Sequence, residues 1–257
     1  MIVYRIACAA LAAAALMLAG CSKDAENAFQ GWVEADFIFV SPDEQGRVET
    51  MSVREGDRVE KDTLLFTLDS DLQRADLAVA EAALTNAKQA FERAQQLLRS
   101  ASGTQREFDT TQAAYRQAEA QLASARTRLD RRKLASPVTG IIQQVYYRPG
   151  ETVPASRPII AVLPPGNIKV RFFIPERLLP RITIGDEVRV SCDGCARSIT
   201  APVTFISRNV EFTPPVIYSL EERAKLVYLI EARPAETDTL RVGQPVSVEV
   251  TLREVPK

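Results

Sequence analysis

The sequence predicts an α+β protein, mostly β, in which an antiparallel helical hairpin interrupts a small β-sandwich and a small antiparallel β-barrel completes the chain. Three observations support this fold class. Residues 70–134 are rich in alanine and charge and carry a helical heptad pattern. The flanking segments, residues 41–69 and 135–163, share one pattern of short apolar runs and glycines. Beyond them, apolar and polar residues alternate, as in strands with one face in solvent.

The composition excludes several classes of function. The chain has 257 residues, 32 basic and 33 acidic side chains, and no histidine. Near-zero net charge gives no electrostatic case for nucleic acid or for a polybasic membrane surface. The lack of histidine removes the commonest general base and metal ligand, and no phosphate-binding loop pattern is present. A triad or zinc hydrolase is therefore disfavoured, whereas an enzyme based on Asp or Glu stays open.

The first residues predict export and lipidation. Residues 1–20 form a predicted signal peptide, in which a basic start precedes an apolar run that is short for a membrane-spanning helix. Residues 18–21 (LAGC) resemble the lipobox of bacterial lipoproteins, whose cysteine receives a lipid before cleavage. We therefore predict lipidation of Cys21, a flexible tether over residues 21–31, and a periplasmic protein anchored to the cell membrane, preferably the inner one. A membrane-buried helix with an incidental cysteine is the alternative.

An internal repeat defines the predicted sandwich. Residues 41–69 and 135–163 align when their Ser-Pro pairs are matched. The glycines that follow are then equally spaced in the two segments, and Val59 corresponds to Val153. We interpret the two segments as half-motifs of one β-sandwich, with the strand candidate Trp32–Val40 preceding the first.

The heptad pattern predicts two packed helices. Large apolar residues recur at heptad spacing in each half, and alanines follow most of them three places later. These seam positions are Leu77, Leu84, Phe91, Leu98, Phe108, Tyr115, Leu122 and Leu129, with Ala80, Ala87, Ala94, Ala118 and Ala125. The charged residues that fall off the seam, and that we expect in solvent, are Glu81, Lys88, Glu92, Arg116, Glu119, Arg126 and Arg128.

Residues 100–103 interrupt the heptads, which favours a hairpin over one continuous rod. Ser70 with Gln73, and Thr104 with Glu107, have the spacing of capping boxes that begin the two helices. At about 1.5 Å per residue each helix would be roughly 45 Å long, so we expect the hairpin to project from the sandwich.

The segments GRVETMSVREGDRVEKDTLLFTLD and ASPVTGIIQQVYYRPGETV each resemble half of a biotinyl or lipoyl domain. Their separation by a helical hairpin resembles periplasmic adaptor proteins of the HlyD family, also called membrane fusion proteins. The resemblance extends over Trp32 to Val250. It implies a split lipoyl/biotinyl-like β-sandwich (residues 41–69 and 135–163), an antiparallel coiled-coil α-hairpin (70–134) and a small β-barrel (32–40 and 164–257).

The resemblance implies a non-enzymatic adaptor rather than a cofactor carrier. In lipoyl and biotinyl carriers, the cofactor lysine lies at the tip of the hairpin that joins the two halves. The helical insertion occupies that place here, and neither Lys61 nor Lys133 matches it. We therefore expect no cofactor apart from the lipid on Cys21. A carrier subunit would instead show the added mass of biotin or lipoate on a lysine.

By the same resemblance, the protein is expected to bridge an inner-membrane exporter to a TolC-type outer-membrane channel for efflux or secretion. The short chain and single hairpin favour an ABC transporter as the exporter, and the adaptor would form a homo-oligomeric ring, a trimer or a hexamer. The alternative is a structural envelope lipoprotein that binds another partner through its hairpin without transport.

The hairpin tip carries a candidate docking motif. Adaptors for TolC-type channels resemble one another in an arginine, a leucine four residues later and a serine seven residues after that. Arg93, Leu97 and Thr104 have this spacing, with threonine in place of serine. The resemblance implies that they contact the outer-membrane channel. Structural roles are the alternative, with Thr104 as an N-cap, Arg93 as a surface charge and Leu97 as packing near the seam.

The region after Leu163 predicts the barrel and a cysteine pair. Five segments alternate apolar and polar residues, and a short helix is predicted at residues 176–180. Asp193-Gly194 predicts a two-residue hairpin turn that would place Cys192 and Cys195 across from each other on neighbouring strands. A disulfide is the first interpretation in an oxidising compartment, and free thiols are the second. A metal site or a redox-active pair is less consistent with the surroundings.

Overall fold

The computed structural model describes residues 27–195, 197–212, 226–236 and 239–253. The chain forms two compact units, of which one comprises Asp36–Asn167 and the other combines the chain up to Ala35 with residues from Ile168 onward. The predicted signal peptide and the lipidation site Cys21 lie outside the described residues. Among the helices that the structure describes, none combines the length and the apolar composition needed to cross a membrane.

In chain order, the strands are β1 (Ala28–Ala35), β2 (Ile38–Val40), β3 (Gly46–Met51), β4 (Arg58–Val59), β5 (Leu64–Leu68), β6 (Lys133–Ala135), β7 (Gly140–Val145), β8 (Thr152–Val153), β9 (Ile160–Leu163), β10 (Ile168–Pro175), β11 (Glu187–Ser191), β12 (Ile199–Phe212), β13 (Leu226–Ala232) and β14 (Pro245–Val250). The helices are α1 (Asp71–Arg99) and α2 (Gln105–Asp130), and a 3-10 helix covers Glu176–Arg181.

The sandwich consists of two antiparallel sheets, ordered β2-β9-β7-β4 and β6-β5-β3-β8. Each sheet takes strands from both repeats. In the first repeat β3 pairs with β5 and β8, and in the second β7 pairs with β9 and β4. The equivalent residues Val59 and Val153 both lie in the core, beside Phe66 and Ile142. The internal repeat predicted from the sequence is therefore confirmed as a pseudo-symmetric pair of half-motifs.

The prediction of one strand from Trp32 to Val40 is wrong. The chain forms β1, which pairs with β10 and β14, and then β2, which pairs with β9 in the sandwich. The break falls at Asp36, whose amide donates to the Asn167 carbonyl oxygen (3.0 Å) and whose carbonyl accepts from Asn167 Nδ2 (2.8 Å). Residues 38–40 thus belong to the sandwich, and residues 28–31 of the predicted tether are already part of β1.

The second unit contains a closed antiparallel barrel in the order β1-β10-β13-β12-β11-β14. Alternate residues of β10, including Val170, Phe172 and Ile174, are completely buried, as predicted for strands with one face in the core. A side chain at Gly31 would place its Cβ 2.6 Å from the Arg171 carbonyl oxygen, so this crossing of β1 and β10 requires glycine. The short helix predicted after Pro175 is confirmed as the 3-10 helix.

The hairpin is built on the predicted seam. All eight large seam residues are half-buried, and Ala80, Ala94, Ala118 and Ala125 are buried. Phe91 stacks on Tyr115 with ring centroids 5.6 Å apart and lies 5.4 Å from Phe108. The charged residues predicted to lie off the seam are all exposed. The heptad prediction is therefore confirmed in both helices.

The two helices begin differently. The Thr104 hydroxyl oxygen accepts a hydrogen bond from the Glu107 amide (3.2 Å), so the predicted cap of α2 is confirmed. The predicted cap of α1 is wrong, because the Ser70 hydroxyl accepts from the Arg74 guanidinium (2.7 Å) and caps no amide. Asp69 replaces it, since its carboxylate accepts from the Asp71 amide (3.2 Å).

Candidate functional site

The turn at the tip is held by backbone hydrogen bonds to the last turn of α1. The Ser102 amide donates to the Leu97 carbonyl oxygen (2.9 Å) and the Ala101 amide to that of Leu98 (3.1 Å). This pair of bonds is a Schellman motif. Its left-handed residue is Ala101 (φ 54°), where glycine is usual. Gly103 lies close against the end of α1. A Cβ added at Gly103 would be only 3.0 Å from both the Leu97 Cβ and the Leu98 backbone nitrogen.

The three predicted docking residues lie near this turn. Arg93 and Leu97 are one helical turn apart on the outer surface of α1, and half of Leu97 is exposed (50%). Thr104 is exposed and begins α2 through its hydroxyl. The tight turn brings Leu97 next to Gly103, the neighbour of Thr104. The structure thus brings Leu97 and Thr104 to one end of the hairpin and presents Arg93 beside them, while contact with a channel stays a prediction.

The charged residues in the middle of the hairpin lie on one side of it. Tyr115 of α2 faces both Glu119 of its own helix and Glu92 of α1. A hydrogen bond with Glu119, removal from water and these carboxylate charges raise the pKa of the Tyr115 hydroxyl. Lys88 lies 4.0 Å from Glu92 on the same side of α1. The heptad assigns Arg116 and Arg126 to this side of α2 as well, so both helices contribute to one charged side.

The opposite side and outer edges of the hairpin carry small or uncharged residues through its middle. On α1 these are Val79, Ala82, Ala83, Asn86, Gln89 and Ala90, and on α2 they are Thr110, Ala113, Ala114, Gln117, Ala120, Gln121, Ser124 and Thr127. Apart from the half-buried Ala90 they are all exposed. Leu72 (69% exposed) and Val79 (70%) add large apolar side chains near the base. We call this set the uncharged surface. Exposed apolar and small residues arranged along helices are typical of a packing surface.

The cysteine pair lies in the loop between β11 and β12. Cys192 and Cys195 form a disulfide with Cα atoms 5.2 Å apart, in agreement with the first interpretation of the sequence. The expected placement across two strands is wrong, because β11 ends at Ser191 and β12 begins only at Ile199. The two cysteines instead close a four-residue turn, in which the Cys195 amide donates to the Cys192 carbonyl oxygen (3.0 Å) and Gly194 has φ 85°. The described residues contain no cluster of three or more metal-ligating side chains.

Two features of the hairpin were not anticipated from the sequence. Ala101 adopts the left-handed conformation, where glycine is the usual residue, since the Schellman bonds fix the position by its distance from the helix end. Arg132, at the base, is a buried charged residue in a run of three basic residues that gives no signal of burial.

Comparison with known proteins agrees with this geometry. Residues 69–135 match the family model described as RND MFP, alpha-helical hairpin domain. A UPF0194 membrane protein of Acidithiobacillus ferridurans is 32% identical over 138 residues, which cover 53% of this chain and 41% of that protein. The chain spans about half or less of the length of the curated relatives it matches.

Two solved structures share the fold. A MacA-MexA chimeric protein containing the Pseudomonas aeruginosa MexA alpha-hairpin domain aligns over 89% of this chain and 81% of its own, with a TM-score of 0.71 and 20% identity. The membrane fusion protein Spr0693 from Streptococcus pneumoniae aligns over 88% of this chain and 99% of its own, with a TM-score of 0.69 and 19% identity. Residues 69–135 therefore resemble the hairpin domain of the RND membrane fusion proteins, and the chain shares its fold with solved membrane fusion proteins.

Proposed function

We propose that the protein is the periplasmic adaptor subunit of a multi-component exporter, and that it bridges an inner-membrane transporter to an outer-membrane channel for efflux or secretion. The observation that carries this proposal is the hairpin itself. Helices of 29 and 26 residues, about 40–45 Å long, are inserted between the two halves of a small sandwich. A hairpin this long can bury only a small part of its surface against the sandwich. Its proposed role is therefore to reach a distant partner.

The tip of the hairpin is the proposed contact with a TolC-type channel. Leu97 supplies an exposed apolar side chain and Arg93 a positive charge one turn away. Capping of α2 and docking are compatible uses of Thr104, because a hydroxyl group has one donor and two acceptor positions and the Glu107 amide occupies one acceptor. The remaining donor is available to a carbonyl oxygen of a partner.

The uncharged surface supports a homo-oligomer, a trimer or a hexamer. Small side chains on the outer edges of both helices allow a neighbouring hairpin to approach closely without burying charge. Asp76 lies near the start of α1 and Arg128 in the last turn of α2, so both charged residues are near the base of the hairpin. Hairpins side by side in a ring would bring the Asp76 of one copy near the Arg128 of the next, which adds charge complementarity to the contact.

The proposed location is the periplasm, with a lipid on Cys21 that holds the protein on the inner membrane. Lipid chains contribute about 0.8 kcal/mol per buried methylene group, so several chains give lasting attachment. The intact mass of the mature protein checks this proposal, because it reports acylation, the disulfide and the presence or absence of biotin or lipoate. A mass that fits an unmodified Cys21 would contradict the anchor, and an added lipoate or biotin would contradict the adaptor.

The adaptor role is tested in cells by cross-linking and copurification. An ATPase, a permease and an outer-membrane channel are expected to copurify with the cross-linked protein, and deletion should raise sensitivity to a toxic compound. The double variant R93D/L97D should lose the channel and fail to restore resistance, while Lys88→Asp on the charged side should behave as wild type. Copurification of an ion-driven transporter in place of the ATPase would correct the transporter type. Recovery of neither transporter nor channel would favour a structural envelope lipoprotein.

A further inference from the structure

The base of the hairpin contains a buried arginine. Arg132 follows α2 after its C-cap residue, Arg131, and its side chain is only 9% exposed. The guanidinium group joins three segments of the chain. Nη1 donates to the Gln45 carbonyl oxygen (3.0 Å) and Nη2 pairs with Glu44 Oε2 (3.0 Å), both in the segment before β3. With the Gln73 side-chain amide turned so that its oxygen faces the guanidinium group, Nε (3.1 Å) and Nη2 donate to that oxygen in the first turn of α1.

The space around this arginine is filled. A Cβ added at Gly46 would lie 2.8 Å from Arg132 Nη1 and 3.3 Å from Leu68 Cδ1. Gln73 is itself buried (8% exposed), so its amide exchanges few hydrogen bonds with water. The Arg132 backbone is fixed as well, because its carbonyl oxygen accepts from the Leu68 amide (2.8 Å) at the end of β5. Both the main chain and the side chain of this one residue are therefore tied to the sandwich.

These contacts oppose any change in the angle at which the hairpin projects from the sandwich. If the two helices tilted on the sandwich, either Gln73 of α1 would move away from the guanidinium group, or that group would be pulled from Glu44 and the Gln45 carbonyl oxygen, in both cases while still buried. A buried charge without partners is strongly unfavourable, whereas the same loss at an exposed pair is nearly free. The hydrogen bonds of Arg132 thus select one direction of projection for α1 and α2 together.

We infer that Arg132 is the positioning residue that fixes the direction in which the hairpin projects from the sandwich, through its bonds to Gln73, Glu44 and Gln45. This inference rests on the proposed function in one respect, since direction matters because the tip must reach a channel. The chain offers a matched control beside it. Arg131 has the same side chain and pairs with Asp43 at 3.3 Å, but 61% of its side chain is exposed.

The test is a distance measurement by pulsed electron paramagnetic resonance on the purified full-length protein in detergent. Spin labels on non-natural amino acids at Gln96, near the tip, and at Glu151, in the sandwich, leave the native cysteines untouched. Both positions are exposed. We expect Arg132→Met to broaden the distance distribution at least twofold, and Arg131→Met to leave it unchanged. A distribution for Arg132→Met as narrow as that of wild type, with or without a lower Tm, would overturn the inference.

A second variant keeps the inference testable if Arg132→Met does not fold. Gly46→Ala retains the arginine but forces its guanidinium group from its place, so it should also broaden the distribution, and an unchanged width would count against the inference. No transporter or channel takes part in this measurement. A failure of the inference about Arg132 is therefore distinguishable from a failure of the adaptor role, which copurification reports separately.

Discussion

The two ends of the hairpin are held by different kinds of interaction. At the base, side chains distant in sequence meet, since Arg132 bonds to Glu44 and Gln45, which lie 88 and 87 residues earlier in the chain. At the tip, the turn is held by backbone bonds between near neighbours, and Leu97 points into solvent. The direction of the hairpin is therefore set by tertiary contacts at one end, while the other end is a local structure whose side chains are available to a partner.

The sandwich beneath the base should be the most sensitive part of this unit. Phe66 of β5 is completely buried, so Phe66→Ala should lower the free energy of unfolding by about 3–5 kcal/mol, through lost burial and the cavity left behind. Leu97→Ala at the tip should change it by less than about 1 kcal/mol, because Leu97 is half exposed. Urea unfolding followed by circular dichroism measures both changes in the free energy of unfolding, and equal losses would contradict the difference between sandwich and tip.

Two substitutions in the tip turn should act in opposite directions. Gly103→Ala should destabilise the protein by about 1 kcal/mol or more, because the new Cβ meets backbone atoms of α1 at 3.0 Å. Ala101→Gly should stabilise it by roughly 0.5–1 kcal/mol, because glycine relieves the cost of the left-handed conformation. Thermal unfolding of the two variants and the wild type gives the signs. A stabilising Gly103→Ala would contradict the close approach seen at the turn.

Substitutions of Thr104 test whether its hydroxyl group stabilises the start of α2. Thr104→Ala should cost about 1 kcal/mol of stability, because the Glu107 amide loses its partner. Thr104→Ser keeps the hydroxyl group and serves as the control, with stability close to that of wild type. Amide hydrogen exchange at residues 105–107 locates the effect. If exchange there is unchanged in the alanine variant, the cap does not hold the start of α2.

The smallest expected effect is a pH dependence at the start of α1 that is missing at the start of α2. The Asp71 amide and the Arg47 guanidinium group hold the pKa of Asp69 below its ordinary value of 3.8. Because the folded-state pKa is depressed, the carboxylate stabilises the folded state above about pH 3.8, and this contribution is lost as the pH falls through the folded-state pKa.

The Thr104 hydroxyl group does not titrate in this range, so its cap should be independent of pH. Amide exchange at residues 71–73 and 105–107, compared at pH 6 and pH 3, measures the difference. Asp69→Asn should remove the acid sensitivity of the first group. Equal acid sensitivity of both helix starts would show that the carboxylate is not responsible.

The seam and the internal repeat were predictable because each leaves a regular pattern in the sequence, a heptad period in the seam and two equivalent segments in the repeat. Leu77 and Ala80 lie in the seam because of their heptad positions, and Val59 and Val153 are buried because equivalent strands repeat. The tip turn was predictable in place but not in detail, since the left-handed position depends on where the last helical bond falls.

Other features depend on competition or on distant partners. Ser70 has the correct spacing for a cap, but the neighbouring Asp69 takes the amide and Arg74 takes the hydroxyl. Arg131 and Arg132 are adjacent and chemically identical, and only the folded base decides which of them is buried. The break at Asp36 depends on its bonds to Asn167 across the whole sandwich, which no local pattern records.

Photo-cross-linking in living cells can show whether the exposed tip reaches an outer-membrane channel. A benzophenone amino acid would replace Gln96 at the tip or Gln89 on the uncharged surface, both exposed. The tip position should yield an adduct with an outer-membrane channel protein, and the lower position an adduct with a second copy of the adaptor. If the tip position gives no channel adduct, while the protein is folded and present at its normal level, the proposed contact with a channel is contradicted.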